Sequence, residues 1–457
     1  MLTVVVCVLV ACVPLSAQEP DPKLLESIAV LRKINIEKLS DQKQQEKAKQ
    51  IDEAWEYLNE AGEPAIALLK EEIAKVDAAQ EKDNFFKLNA TVVIWNIGKA
   101  KEAGYIGDVW TSTPVREQYN YVFYTAFEAA QTQDPKVLPM LRAVLKDDKG
   151  AIFVGGHSMN VPWPLSHEFI WGVYGPSALP VLLEVLERSA NEIEIKSATK
   201  LLTRAHYLPA LPKIRLLAAD PRQDVRGSAI EALGTFGHPS DYDLLINGLR
   251  STDTKELFSY AFALYEFDDE RAVPHLIPLL QKKDDALFLE ASLALLHLLT
   301  PESFAAVRSA VAKYPNAEVK EYLQQAIDQR KNKLPKNFDR LTQAQQRPLL
   351  EQLRNAGLKP KSDGSPLTHK QLIDALNTWK SKGRIDRSGV DWTGVASIIS
   401  AATADDIELI QQTKAAFYRR LSDECLYEVR DLDTAVKHIG RGRYRKGLGV
   451  VEKAESK

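Results

Sequence analysis

The sequence predicts an all-α protein: a superhelical stack of short helix pairs, a solenoid, followed by a smaller C-terminal helical domain. Three observations carry this. Apolar residues recur at helical spacing along most of the chain. A 31-residue period runs from about residue 195 to 312, and composition shifts sharply after Ile327. With 45% hydrophobic and 26% charged residues the chain has the make-up of a folded protein, which excludes a disordered tail, a collagen-like fibre and a polytopic membrane protein. The 59 Lys+Arg against 62 Asp+Glu give a net charge of −3. That balance argues against a bulk electrostatic nucleic-acid binder, so no nucleic-acid partner is expected.

The chain opens on Met1–Ala17, which contains no charged residue. Its apolar run, Leu2–Val13, is too short for a bilayer span of about twenty residues. It reads as the core of a secretory signal peptide cleaved after Ala17. Leu9-Val10-Ala11-Cys12 also has the look of a bacterial lipobox, which would make Cys12 a lipidated first residue and the membrane a partner. Both readings imply export, to the periplasm or beyond it. Three cysteines are present; cleavage leaves Cys425 alone, so no intramolecular disulfide is available. Cys425 lies in an apolar-periodic stretch and reads as a small buried hydrophobe.

Residues 21–130 read as a polar capping helix, Ile34–Ala54, and degenerate repeat helices around Ala65–Leu69 and Leu88–Gly98. Residues 131–327 then carry the repeat. One column is Leu202, Leu233, Leu264 and Leu295, each 31 residues after the last. Ile214, Leu245, Leu276 and Val307 form a second, and Ala218, Leu249, Leu280 and Val311 a third. A small-residue column reads Ala198, Ala229, Tyr260 and Ala291. Within a unit, Ala229, Ala232, Leu233 and Phe236 mark one helix face; Leu244, Leu245, Gly248 and Leu249 mark another. Gly237-His238-Pro239-Ser240 supplies the turn between them, with Ser240 or Asp241 placed to cap the second helix. Helix pairs this short cannot bury an apolar face alone, so neighbours must stack.

Asp224-Val225-Arg226, then Ala229, Ala232-Leu233-Gly234 and Leu244-Leu245, resembles the HEAT-like repeat in the variant also seen in phycobilisome lyases. The likeness covers roughly Val137–Ile327. It implies a HEAT-like α-α superhelix acting as a binding surface, with a protein or peptide partner, and it names no ligand.

An insertion at 146–166 interrupts the array, from Gly150 through Val154, His157 and Trp163 to Pro164. Long loops in compact domains often carry function, and aromatic residues gather nearby in sequence: Tyr105, Trp110, Tyr119, Tyr121, Phe123, Tyr124 and Phe127. A ligand pocket using His157, Trp163, His167, Glu168 and Trp171 is one reading; aromatic packing at an irregular junction is the other. His157, His167 and Glu168 are suitable metal ligands by type, but adjacent residues on a helix diverge by about 100°. The deoxyhypusine hydroxylases, also HEAT-like, bind iron through several repeated His-Glu pairs, and this chain has one. No metal and no cofactor is expected. No nucleotide loop, nucleophile elbow or zinc-protease motif occurs, so the chain reads as a binding module. The competing class is an enzyme with its pocket at the 150–174 insertion.

Residues 328–340 read as a charged linker, and 341–457 as an all-α domain. Its expected helices are Thr342–Gly357 despite Pro348, Lys370–Lys382 capped by Thr368, Val390–Ala401, a long helix opened by Thr403 and running to Arg420, Asp423–Val429 and Leu432–Ile439. It ends in a basic run. There Arg441, Arg443, Tyr444, Arg445 and Lys446 are candidate contacts to an anionic partner, with a solvated tail as the alternative. The reading as a whole is an exported scaffold of the bacterial cell envelope, its oligomeric state left open.

Overall fold

The computed structural model describes residues 21–33, 41–76, 81–113, 120–146, 152–154, 163–165, 167–355, 367–383, 398–399, 401–420 and 426–440. They fall into two compact units that part between Val115 and Arg116. The segments Met1–Ala17 and Arg441–Lys446, with Cys12, Cys425 and His157, lie outside the described residues.

Among the described residues the first unit holds five α-helices: α1 (Pro22–Arg32), α2 (Asp41–Ala61), α3 (Glu63–Ala74), α4 (Glu81–Gly98) and α5 (Ala103–Ser112). Leu31, Leu58, Leu69, Trp95 and Trp110 close its core. The Trp110 indole N–H donates to Thr91 Oγ1 at 2.8 Å, so this aromatic serves packing.

The second unit begins with α6 (Asn120–Thr132) and α7 (Leu138–Val144), a helix pair of the repeat type. The insertion that follows carries a two-stranded antiparallel ladder, β1 (Ile152–Val154) on β2 (Trp163–Leu165), paired Ile152 to Leu165 and Val154 to Trp163. The chain then resumes as α8 (His167–Tyr174), which packs on α6 and α7. The stack is therefore continuous across the insertion. It proceeds through α9 (Leu179–Arg188), α10 (Glu192–Arg204), α11 (Leu211–Leu217), α12 (Gln223–Phe236), α13 (Tyr242–Gly248), α14 (Thr254–Phe267), α15 (Val273–Leu276, extended by a 3-10 turn to Gln281), α16 (Asp285–Leu298), α17 (Pro301–Lys313) and α18 (Ala317–Lys331).

Even-numbered first helices α10, α12, α14 and α16 stack on one another, and the shorter second helices α11, α13 and α15 pack against them. The columns read from sequence are the reason. Leu202, Leu233, Leu264, Leu295 and Ile214, Leu245, Leu276, Val307 are all fully buried. Each such side chain contributes about 2 kcal/mol of apolar burial. Tyr260, the large member of the small-residue column, fits because its ring lies where a Cβ on Gly248 would sit, at 2.1 Å.

The period extends to both ends of the first helices. Asn191 Oδ1 accepts from Ile193 N at 2.9 Å and Asp253 Oδ1 from Lys255 N at 2.8 Å, while Asp284 Oδ1 accepts from Leu287 N at 2.8 Å. Each such cap is worth about 1 kcal/mol. Arg222 stands in the same register without a cap; its guanidinium and backbone N–H are instead held by Asp220. At the other end Gly175, His206, Gly237, Asp268 and Leu299, all 31 apart, have φ of +93°, +48°, +61°, +61° and +48°. Three of these five are not glycine, at a cost of roughly 1 kcal/mol each. The geometry turns each first helix sharply into its partner, as the amides of Gly237, Asp268 and Leu299 donate back to the carbonyls of Leu233, Leu264 and Leu295. The second helices then start on 3-10 turns rich in proline, where the missing N–H has no helical partner to lose. At the turn after α12 the cap is His238, which accepts from Ser240 N, whereas Asp241 binds Arg215 at 2.7 Å. Both residues expected to cap there are thus otherwise engaged.

The charged stretch after Ile327 is packed rather than extended. Phe338 is buried against Phe304 and Asp339 pairs with Arg308 at 2.6 Å. Then come α19 (Gln343–Asn355, with Pro348 inside), α20 (His369–Lys382), α21 (Ile407–Arg420) and α22 (Leu426–Gly440). The two short helices expected at 423–439 are one continuous helix over its described span. Leu372, Leu376, Trp379, Ile410, Phe417, Leu432 and Val436 form a separate core for these helices. Among the described residues no helix is long and apolar enough to cross a membrane.

Candidate functional site

The positive-φ turns form one edge of the repeat stack, and the C-terminal helices seat on it. Arg419 Nε of α21 donates to Val173 O at 3.0 Å. The Gln411 side-chain amide donates to Ala205 O, and Lys437 of α22 forms an ion pair with Glu266. Gly172 and Gly440 permit the approach: a Cβ would meet the Tyr418 ring at 2.7 Å in the first case and the His206 ring at 2.1 Å in the second. Farther along, Arg354 of α19 reaches the turn after α14. It donates to Asp268 Oδ1 at 2.5 Å and Glu270 Oε1 at 2.8 Å.

Among the described residues, two spaces lie where α21 meets the turns. The smaller, about 60 Å³, is lined by Trp171, Leu182, Leu201 and Tyr418 among others. That volume suits one or two waters and is far below that of a ligand pocket. The larger, about 740 Å³, is an open cleft between the turns at Pro176–Pro180 and Ala205–Leu208 and the α21 side chains Glu408, Gln412 and Arg419. Lys380 and Asp405 complete its charged lining. Burial lowers the Arg419 pKa, and no carboxylate among the described residues pairs with that guanidinium.

Of the five candidate pocket residues His157, Trp163, His167, Glu168 and Trp171, only Trp171 has a described side chain. It is 2% exposed, its indole nitrogen is buried without a hydrogen-bond partner, and it lines the smaller space. Trp163 lies in β2, and His167 and Glu168 in the first turn of α8, with side chains outside the described set. Phe127 is buried and Tyr124 is 40% exposed. Among the described residues no group of three His, Cys, Asp or Glu is placed to hold a metal ion. Local spacing does not show the cleft, because its two walls lie some 230 residues apart in the sequence. One trace is the small pair Ala415-Ala416, which with Gln411 is buried on α21 outside that domain's own core.

The first-helix face near α22 carries three carboxylates, Glu231, Glu266 and Glu290. Burial, then repulsion by Glu231 and Glu266, pushes the Glu290 carboxyl up to about 7 from an ordinary 4.5. The folded chain therefore binds one more proton than the unfolded chain between pH 4.5 and 7. The stability this group contributes is full below pH 4.5 and is lost as pH rises through 7. Glu290→Gln is expected to stabilise the protein by about 2 kcal/mol at pH 8, discounting for partial exposure, and by nothing near pH 4. Urea unfolding at the two pH values measures this; an equal gain at both would refute it.

Comparison with known proteins bears on the same segment. No curated protein matches the chain. The family model of HEAT repeats matches residues 179–259, from the start of α9 to within α14. The matched stretch contains the Asp224-Val225-Arg226 element and two of the positive-φ turns. The chain thus carries HEAT repeats over residues 179–259, within an all-α solenoid whose 31-residue period continues to Leu299.

Proposed function

We propose that this protein is an exported scaffold of the cell envelope that binds a partner protein on the second-helix face of its repeats. HEAT repeats generally mediate protein–protein interactions. The observation that carries the reading is which face the chain leaves open. Its own C-terminal helices take the turn edge, while the second helices expose Leu216 of α11 at 72% and Leu244 of α13 at 39%. Exposed apolar side chains on adjacent units of a repeat array offer contact area without disturbing the core. The placement in the envelope rests on the uncharged apolar segment Met1–Ala17.

Affinity capture from envelope extract, compared between wild type and a Leu216→Asp, Leu244→Asp double variant, tests the binding face. The variant is expected to lose the captured partner at least tenfold with its unfolding midpoint unchanged, because neither side chain is core. Undiminished capture would sink the assignment of this face. Deletion of Gly150–Pro164 is expected to leave the captured partner unaltered. N-terminal sequencing of the envelope form tests export: a start at Gln18 fits signal cleavage, a detergent-partitioning form starting at Cys12 fits the lipidated alternative, and a start at Met1 contradicts both.

A further inference from the structure

The geometry points to a second recognition element within that reading: the 740 Å³ cleft beside α21 takes the carboxylate end of an extended peptide, with the peptide's C-terminal carboxylate on Arg419. This rests on the protein-binding reading and adds the partner's chemistry. The volume is that of a ligand site. Arg419 spends its Nε on Val173 O at 3.0 Å, which fixes the guanidinium plane and leaves the other four donors of the fork. A half-buried guanidinium with no carboxylate opposite it among the described residues is costly unless an anion arrives. Gly175 borders this end; a Cβ there would lie 3.6 Å from Arg419 Nη2, and its φ of +93° keeps the position for glycine. Nearby, Gln133 is anchored by its amide to Tyr174 O at 3.0 Å.

The opposite end of the cleft has the opposite sign. Asp405 stands in the 3-10 turn just before α21 and Glu408 in the first turn of that helix, eleven residues before Arg419. At 1.5 Å per residue that is about 16 Å along the helix. Lys380 lies between them, held by Gln412 Oε1 at 3.1 Å. An extended chain advances about 3.3 Å per residue, so roughly five residues bridge the two poles. The peptide that fits ends in a free carboxylate and carries a Lys or Arg about five residues earlier.

The test is equilibrium dialysis of the full chain against a pooled octapeptide library, made once with free C-terminal carboxylates and once amidated, and read by mass spectrometry. Wild type is expected to take up free acids at least tenfold over amides, with Lys or Arg enriched about five residues from the end. Arg419→Gln should equalise acids and amides, whereas Arg419→Lys should keep part of the preference. An Asp405→Asn, Glu408→Gln variant should lose only the basic preference. Ser177→Trp, an exposed residue on the cleft wall, should lower uptake of all peptides without touching the Arg419 bond to Val173. Equal uptake of acids and amides by wild type, no uptake of either, or an acid preference that survives Arg419→Gln would overturn the proposal. Partner capture through Leu216 and Leu244 would stand after any of those results, so the two readings fail separately.

Discussion

Gly234→Ala is expected to lower stability by about 3 kcal/mol, the upper range for overpacking a core. A Cβ at Gly234 of α12 would lie 2.2 Å from Ala263 O, 2.4 Å from its Cα and 2.6 Å from its carbonyl carbon. All three are backbone atoms of α14, so no rotamer change relieves the clash and the two helices must part. Parting them opens the Leu233 and Leu264 layer, where both side chains are fully buried. Gly227→Ala is the control on the same helix. Its Cβ would meet only the Ser259 side chain, Oγ at 3.0 Å and Cβ at 3.9 Å, so the cost should stay below about 1 kcal/mol and helix propensity offsets part of it. Chemical denaturation of both variants measures the contrast. Equal effects would mean that the α12–α14 spacing is not set by this glycine.

That glycine also shows what could be read without coordinates. Gly234 stands in the Ala232-Leu233-Gly234 element that carries the family likeness, and the columns around it are legible because a buried leucine leaves the same trace in every unit. The N-caps are legible in part: Asn191, Asp253 and Asp284 are capping types at one period, while Arg222 hides the register. The turns were the harder feature. A left-handed residue is normally announced by glycine, and here three of five positions are His206, Asp268 and Leu299. The repeat imposes the turn on them, and the buried leucines on either side cover its cost. The seating of α21 on those turns leaves no local periodicity at all, because Arg419 and Val173 meet across 246 residues. The candidate site therefore lay beyond a reading built on local spacing. The insertion, by contrast, shows in one dimension through its length.

The tie that closes the far end of that edge gives the second large effect. Arg354→Met is expected to destabilise the protein by about 3 kcal/mol, since removing one member of a buried ion pair strands the other. The Arg354 side chain is 11% exposed and Asp268 is 10% exposed. Asp268 is also the left-handed residue after α14, so its carboxylate is fixed by the turn and cannot swing out to water. His297 remains within 3.0 Å of it as a partial replacement. Desolvation lowers the Arg354 pKa, and the charge and hydrogen bond of Glu270 work against that shift. Arg347 reaches the same Glu270 at 2.9 Å but is 52% exposed, so Arg347→Met should cost well under 1 kcal/mol. Asp268→Asn keeps a residue tolerant of the left-handed turn while removing the charge. If stranded charge is the main cost, the Arg354→Met, Asp268→Asn pair should be more stable than Arg354→Met alone by about 1–2 kcal/mol. A double variant no better than the single one would assign the loss to the packing of the Arg354 stem instead.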